Sequence, residues 1–316
     1  MLTRPDLAFL FPGQGSQSIG MLGALSERHA VVQKTFIEAS AALGDDLWKI
    51  ACEGPEQLIN RTDYTQPLML TAGVAVWRAW QAGGGPMPGY MAGHSLGEYT
   101  ALVCSGALDF SDAVSLVRDR GRYMQEAVPE GEGAIAAVLG LDDDAVQTVC
   151  AEAAKGEVVE PVNYNSPGQV VIAGHLAAVE RALLAAKAAG AKRAVRLPMS
   201  VPAHCSLMRP AAEKLAARLE KVSLQPAQVP VIHNVDVSTS ADAAAIRARL
   251  VDQVKSPVRW TECIKALANN NVTELVECGP GRVLAGLNRR IERSLNSYAV
   301  HDPDSLAETL TAMEAK

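Results

Sequence analysis

The chain has 316 residues, 48% of them apolar and 20% charged, with a formal net charge of −6. That length suits one large domain or two unequal ones around a sizeable core, and the balance is that of a globular protein. Nucleic-acid binding is not indicated by such a charge, and the longest apolar stretch, near Met69 to Trp77, is too short to span a bilayer.

At the N-terminus one arginine precedes Leu7-Ala8-Phe9-Leu10-Phe11 and a Pro-Gly turn, which does not read as an export signal and points to a cytoplasmic protein. The apolar run itself is a buried strand, ending in Pro12-Gly13-Gln14-Gly15-Ser16-Gln17. Helical patterns follow at 27 to 43 and 65 to 82, the second with Thr65 as N-cap and Pro67 in the first turn. Gly83-Gly84-Gly85-Pro86 ends it and leads to a short strand through Gly89-Tyr90-Met91-Ala92. A mostly apolar helix runs from Leu96 to Ser105, and another from Ser111, read as its N-cap, to about Ala127.

Pro129 to Gly133 reads as a linker, after which the pattern changes. A strand at 134 to 139, a helix at 142 to 154, strands at 158 to 163 and 169 to 173, a helix at 176 to 189 and a strand at 193 to 197 give the order β-α-β-β-α-β. That order is the ferredoxin-like signature, read here as a small insert spanning 129–198, with 1–128 and 199–316 forming the main domain. After Pro198 and Pro202 come a helix at 206 to 220, a strand at 230 to 233 and helices at 242 to 254 and 259 to 269. A strand at 273 to 277 and a helix after Gly279-Pro280-Gly281 follow. Alternating strands and helices imply an α/β core with a mostly parallel sheet covered on both faces.

The sequence Gly93-His94-Ser95-Leu96-Gly97 is a G-x-S-x-G pentapeptide between a strand and a helix. A sharp strand-to-helix turn lifts a serine clear of the chain, and glycine on both sides lets the backbone pass tightly beneath it. Ser95 is therefore the candidate nucleophile. It requires a base, and of six histidines His204, in the proline-stiffened loop Ser200-Val201-Pro202-Ala203-His204, ranks slightly above His233. His94 sits beside the serine, but adjacent side chains on an elbow point apart, so packing or hydrogen bonding is its expected role. The Leu96 N–H comes with the elbow as one oxyanion donor, and the Gly13-Gln14-Gly15 turn is the candidate for the second. That turn lacks the third glycine of a dinucleotide fingerprint.

Six cysteines (52, 104, 150, 205, 263 and 278) include no C-x-x-C pair, so neither a zinc site nor a disulfide framework is expected. Cys205 follows a histidine and is the one thiol weighed as a nucleophile, against the commoner reading of an isolated buried thiol. An acidic partner would need a local basic patch, for which Lys192-Arg193 and Arg289-Arg290 are candidates against ordinary solvated charge.

Helical periodicity puts Ala113, Val114, Val117, Gly121 and Met124 on one face, and Arg120 falls inside that arc. An inward guanidinium needs an anion, since an unpaired buried charge is very costly. The partner is either an internal Asp or Glu, or a substrate carboxylate gripped by the planar fork.

Phe11-Pro12-Gly13-Gln14-Gly15-Ser16-Gln17, Gly93-His94-Ser95-Leu96-Gly97-Glu98-Tyr99, Arg120, Asn163-Tyr164-Asn165-Ser166-Pro167-Gly168-Gln169, Val201-Pro202-Ala203-His204 and Gly279-Pro280-Gly281 together resemble the malonyl-CoA:acyl-carrier-protein transacylases of type II fatty acid synthesis. The resemblance runs from about residue 6 to 300, with Ala203 at a position where relatives vary. It implies a hydrolase-like core with a ferredoxin-like subdomain. The implied activity is an acyltransferase moving malonyl from malonyl-CoA to the phosphopantetheine thiol of acyl carrier protein through a malonyl-serine. By resemblance Ser95 is the nucleophile, His204 the base and Arg120 the holder of the malonyl carboxylate. Gln14 and Leu96 form the oxyanion hole, and the Gln253 main-chain carbonyl orients the imidazole in place of a carboxylate. Asn163 and Met124 complete the substrate-binding set. No metal or cofactor is implied, and a monomer is expected.

Overall fold

Strand β1 (Thr3–Phe11) ends in five fully buried residues, Leu7 to Phe11, as a strand covered on both faces must. Alternate side chains feed different cores. Leu7, Phe9 and Phe11 join one cluster, while Ala8 and Leu10 join another with Trp260, Ile264 and Leu284. The computed structural model describes residues 3–199 and 201–314, so Ser200 of the loop before His204 lies outside the described residues.

After β1 come α1 (Gly23–Arg28), α2 (Ala30–Leu43), α3 (Leu47–Glu53), α4 (Glu56–Ile59) and α5 (Thr62–Ala82). Next are β2 (Met87–Gly93), α6 (Gly97–Cys104) and α7 (Phe110–Glu126). The second unit follows as β3 (Gly133–Leu139), α8 (Asp143–Ala154), β4 (Val159–Ser166), β5 (Gln169–His175), α9 (Leu176–Ala188) and β6 (Arg193–Arg196). The chain then forms α10 (Arg209–Leu219), β7 (Val231–Ile232), α11 (Ala243–Val254), α12 (Trp260–Asn269), β8 (Glu274–Cys278), α13 (Val283–Ile291), β9 (Asn296–Val300) and α14 (Pro303–Glu314).

The result is a mixed α/β molecule with two sheets. The larger has strand order β7-β2-β1-β8-β9, with every pairing parallel. Helix α5 buries Trp77 and Trp80 against Phe9, ring centroids 5.1 Å apart in edge contacts. The smaller sheet, order β4-β5-β3-β6, is antiparallel throughout. One of its faces packs on α8 and α9 through Val138, Val146, Ile172 and Val179. Its other face, through Ile135, Val162, Val171 and Ala173, encloses Cys205 from the loop that carries His204. Main-chain bonds Tyr164 N–H to Val258 O and Val258 N–H to Val162 O, at 3.0 and 2.8 Å, stitch the two units along β4.

Several local expectations are corrected. Helix α5 starts at Thr62 with Arg61 as N-cap. Thr65 lies inside it and donates its hydroxyl to Ile59 O at 2.6 Å. Helix α7 is capped by Asp109, which accepts the Asp112 N–H at 3.1 Å, and not by Ser111. The 27 to 43 segment is broken by extended backbone at His29, which divides α1 from α2. Strand β7 has two residues where four were read, and α3, α4, β9 and α14 were not anticipated. Among the described residues no helix is long and apolar enough to cross a membrane.

Candidate active site

Ser95 stands between β2 and α6 with φ 52°, a left-handed conformation that an L-residue holds only under constraint. The constraint is visible on both sides. A Cβ on Gly93 would lie 1.9 Å from Gly97 C, and one on Gly97 would lie 1.9 Å from Phe11 O, so neither glycine can be replaced without moving backbone. The Ser95 N–H donates to Asn234 Oδ1 at 2.8 Å, and Asn234 Nδ2 donates to Gly93 O at 2.7 Å. One buried amide therefore clamps the turn from beneath.

His204 also has positive φ, 66°, and its N–H is tied to Val254 O at 3.1 Å. Its ring Nδ1 lies 2.8 Å from the main-chain carbonyl of Gln253, in the last turn of α11, and its Nε2 lies 2.6 Å from Ser95 Oγ. A carbonyl can only accept, so Nδ1 carries the proton and Nε2 presents its lone pair to the serine hydroxyl. Burial, with the Arg120 charge as the second cause, pushes the His204 pKa down to about 3. The imidazole is thus neutral at neutral pH, the state a general base needs.

Arg120 projects from α7 and is 1% exposed. Its Nη1 donates to Gln66 Oε1 at 2.9 Å; its Nη2 donates to Gln253 Oε1 at 3.0 Å and to Ser95 Oγ at 3.3 Å. Its Nε is buried without a partner, and Tyr99 lies under the guanidinium at 5.2 Å. Among the described residues it forms no ion pair with an acid. A cation facing only neutral groups beside a serine hydroxyl has capacity left for an anionic ligand.

Ser95, His204, Arg120, Leu96, Gln14, Met124 and Asn163 line one cavity of about 60 Å³, with Gln66, Ile135, Met199 and Ala203. Among the described residues the main-chain N–H groups of Gln14 and Leu96 have no hydrogen-bond partner, nor does the buried Asn163 Oδ1. Gln253 stands behind this wall, touching both His204 and Arg120. A second cavity of about 370 Å³ shares Gln14 and Met199 with the first and adds the polar side chains of Gln57, Asn60, Thr62 and Gln125.

The other candidates are engaged differently, although His94 also lines the 60 Å³ cavity. His233 is fully buried and donates from Nδ1 to Glu98 Oε1 at 2.7 Å, away from Ser95. His94 donates to Asn165 Oδ1 at 2.8 Å and stacks obliquely on Trp260. Cys205 is buried, its thiol pKa pushed up to about 12 mainly by burial, and it donates to Pro202 O. Arg290 donates to Gln169 Oε1 at 3.1 Å across the two units. Sequence reasoning overlooked Gln66, Asn234 and Glu98. A lone acid in the otherwise apolar start of α6, and a glutamine heading the apolar run of α5, were the available signals.

A family profile described as acyl transferase domain matches residues 8–306. The malonyl CoA-acyl carrier protein transacylase of Salmonella typhimurium is 57% identical over 306 residues, covering 97% of this chain and 99% of its own. The chain belongs to the malonyl CoA-acyl carrier protein transacylase family. The family member from Bacillus subtilis is 45% identical, with 95% of both chains covered. Among solved structures, an acyl carrier protein S-malonyltransferase from Vibrio cholerae superposes with a TM-score of 0.94 at 53% identity, covering 96% of this chain and 99% of the other. A malonyl-transacylase in complex with its type II PKS acyl-carrier protein gives 0.96 at 54% identity, covering 97% and 99%.

Proposed function

We propose that the protein moves a malonyl group from malonyl-CoA to the phosphopantetheine thiol of acyl carrier protein, through an ester on Ser95, in fatty acid synthesis. The observation that carries the reading is the 3.3 Å contact between the Arg120 guanidinium and the Ser95 hydroxyl, with no acid paired to the cation among the described residues. An acyl group on Ser95 with a carboxylate two carbons from its carbonyl would replace that contact and bring the carboxylate to the guanidinium.

His204 takes the Ser95 proton as Oγ adds to the thioester carbonyl, and the Gln14 and Leu96 N–H groups receive the oxyanion. The C–S bond breaks, the imidazolium returns its proton to the CoA sulfur, and malonyl-Ser95 remains with its carboxylate on Arg120. The carrier-protein thiol then gives a proton to His204, adds to the ester and leaves as malonyl thioester while Ser95 Oγ is reprotonated. Met124 shapes the acyl pocket, and Asn163 Oδ1, buried without a partner, suits an incoming amide N–H.

We read residues 1–128 and 199–316 as a hydrolase-like core and 129–198 as a ferredoxin-like subdomain. The antiparallel order β4-β5-β3-β6 with both helices on one face supports the second label, and the elbow on a parallel sheet supports the first. The test is to incubate the protein with malonyl-CoA and digest it. The Ser95 peptide should gain the malonyl mass and lose it on addition of holo acyl carrier protein. An unmodified Ser95 peptide overturns the reading, and discharge to water at the same rate without carrier protein makes the protein a hydrolase.

A further inference from the structure

Glu98 is fully buried one turn beyond the nucleophile, and the mechanism above gives it no part. Its Oε1 accepts from His233 Nδ1 at 2.7 Å, and its Oε2 accepts from the Asn234 N–H and from Gln253 Nε2, both at 2.9 Å. The same Gln253 amide donates to Ser95 O at 3.0 Å and accepts from Arg120 Nη2 at 3.0 Å. Anion, amide and cation therefore stand in series, with the amide dipole aligned between them: N–H toward Glu98, C=O toward Arg120. Hydrogen bonds arranged this way polarise one another in a low-dielectric interior.

A buried guanidinium needs a counter-charge, yet an acid in direct contact would occupy the donors that a substrate carboxylate must use. We infer that Glu98 is a positioning residue for the transfer: it neutralises Arg120 from one amide away, fixing the cation while leaving it open to the carboxylate of the acyl group. The inference rests on the reading of Arg120 as the carboxylate's partner. Burial pulls the Arg120 pKa down, and the neighbouring Tyr99 phenol and the Glu98 carboxylate oppose it, the latter in keeping with this placement. The alternative is that Glu98 only braces the elbow through Asn234 and His233. The two roles differ in what they do to acyl selectivity, since bracing serves every acyl group alike.

The experiment compares malonyl and acetyl transfer by Glu98→Gln, by Gln253→Met (main-chain carbonyl kept), and by Glu98→Gln combined with Arg120→Ala. For each single variant the malonyl-to-acetyl ratio of kcat/KM is expected to fall by roughly tenfold or more, as when a charge-specific contact is lost. The double variant should show no further fall beyond Arg120→Ala, because the two act through one another. An unchanged ratio, or a full additional fall in the double variant, overturns the inference. If Glu98→Gln does not fold, Gln253→Met decides on the same criterion, being one link nearer to the cation. Wild-type malonyl-Ser95 formation is measured alongside: its absence sinks the functional reading, whereas its presence with an unchanged ratio sinks only the role of Glu98.

Discussion

Arg120 and His204 interact through charge as well as through Ser95, and each supports a test at the residue scale. Arg120→Ala removes the cation facing Gln66, Gln253 and Ser95, so malonyl kcat/KM is expected to fall by about 10²-fold, near 3 kcal/mol, as for a truncated charge-assisted contact. Acetyl transfer should fall less, and steady-state assays with the two acyl-CoA substrates check this. For the base, a pKa of about 3 means that acylation should hold as pH drops below the ordinary histidine range, with no acid limb near 6.5. Removing Arg120 takes away the second cause of that depression, so the limb should move upward in Arg120→Ala. Rapid-mixing acylation rates from pH 5 to 8 test both statements. Arg120 was legible because helical periodicity reports facing. The role of Gln253 was legible only through the family resemblance, because the group that meets His204 is a main-chain carbonyl, common to every residue type. Asn234 acts through an ordinary side-chain amide, which carries no sequence signature of its own beside His233.

Among the elements, the elbow and α13 are the two whose local chemistry makes a measurable demand. Gly97→Ala sets a Cβ 1.9 Å from the backbone oxygen of Phe11, which has no flexible end to yield, so β1 and α6 must separate. A destabilisation of about 1–3 kcal/mol or more is expected, with parallel loss of Ser95 labelling by a serine-directed reagent; urea unfolding gives the first number. At the start of α13, Glu277 accepts the Ala285 N–H at 2.8 Å while buried, and burial pushes its pKa up to about 7. Between the unfolded value of 4.5 and about 7 the native state holds more protons, so this group's contribution to stability is lost as pH rises through the window. Glu277→Gln keeps a neutral acceptor and should flatten the fall in Tm between pH 5 and 8; an unaltered slope would refute it. Long periodic elements such as α5, α7 and the β3–β6 unit were legible in the sequence. The two short helices α3 and α4 were not, since so few residues carry no period to read, and for the same reason β7 was placed correctly but read as four residues where two pair. The expected caps lie two residues too late at Ser111, where Asp109 caps, and four too late at Thr65, where Arg61 does.

At the scale of the whole molecule, the six cysteines are all free and four are buried, so no disulfide contributes to the fold. Tm should be the same with and without a thiol reductant, read by calorimetry. The alternation of strands and helices made the two-sheet architecture readable, whereas the way β4 is stitched to the segment before α12 depends on long-range pairing that local sequence does not encode. One consequence follows from where the 60 Å³ cavity lies, walled by Ile135 and Asn163 of the smaller sheet on one side and by Ser95 and His204 on the other. A space of that size admits only a handful of solvent molecules, and an acyl ester displaces them. Opening that wall by Ile135→Gly, with Ser95, His204 and Arg120 still in place, is expected to let water discharge the acyl ester faster than in wild type, turning a faithful donor into a leaky, cargo-spilling one.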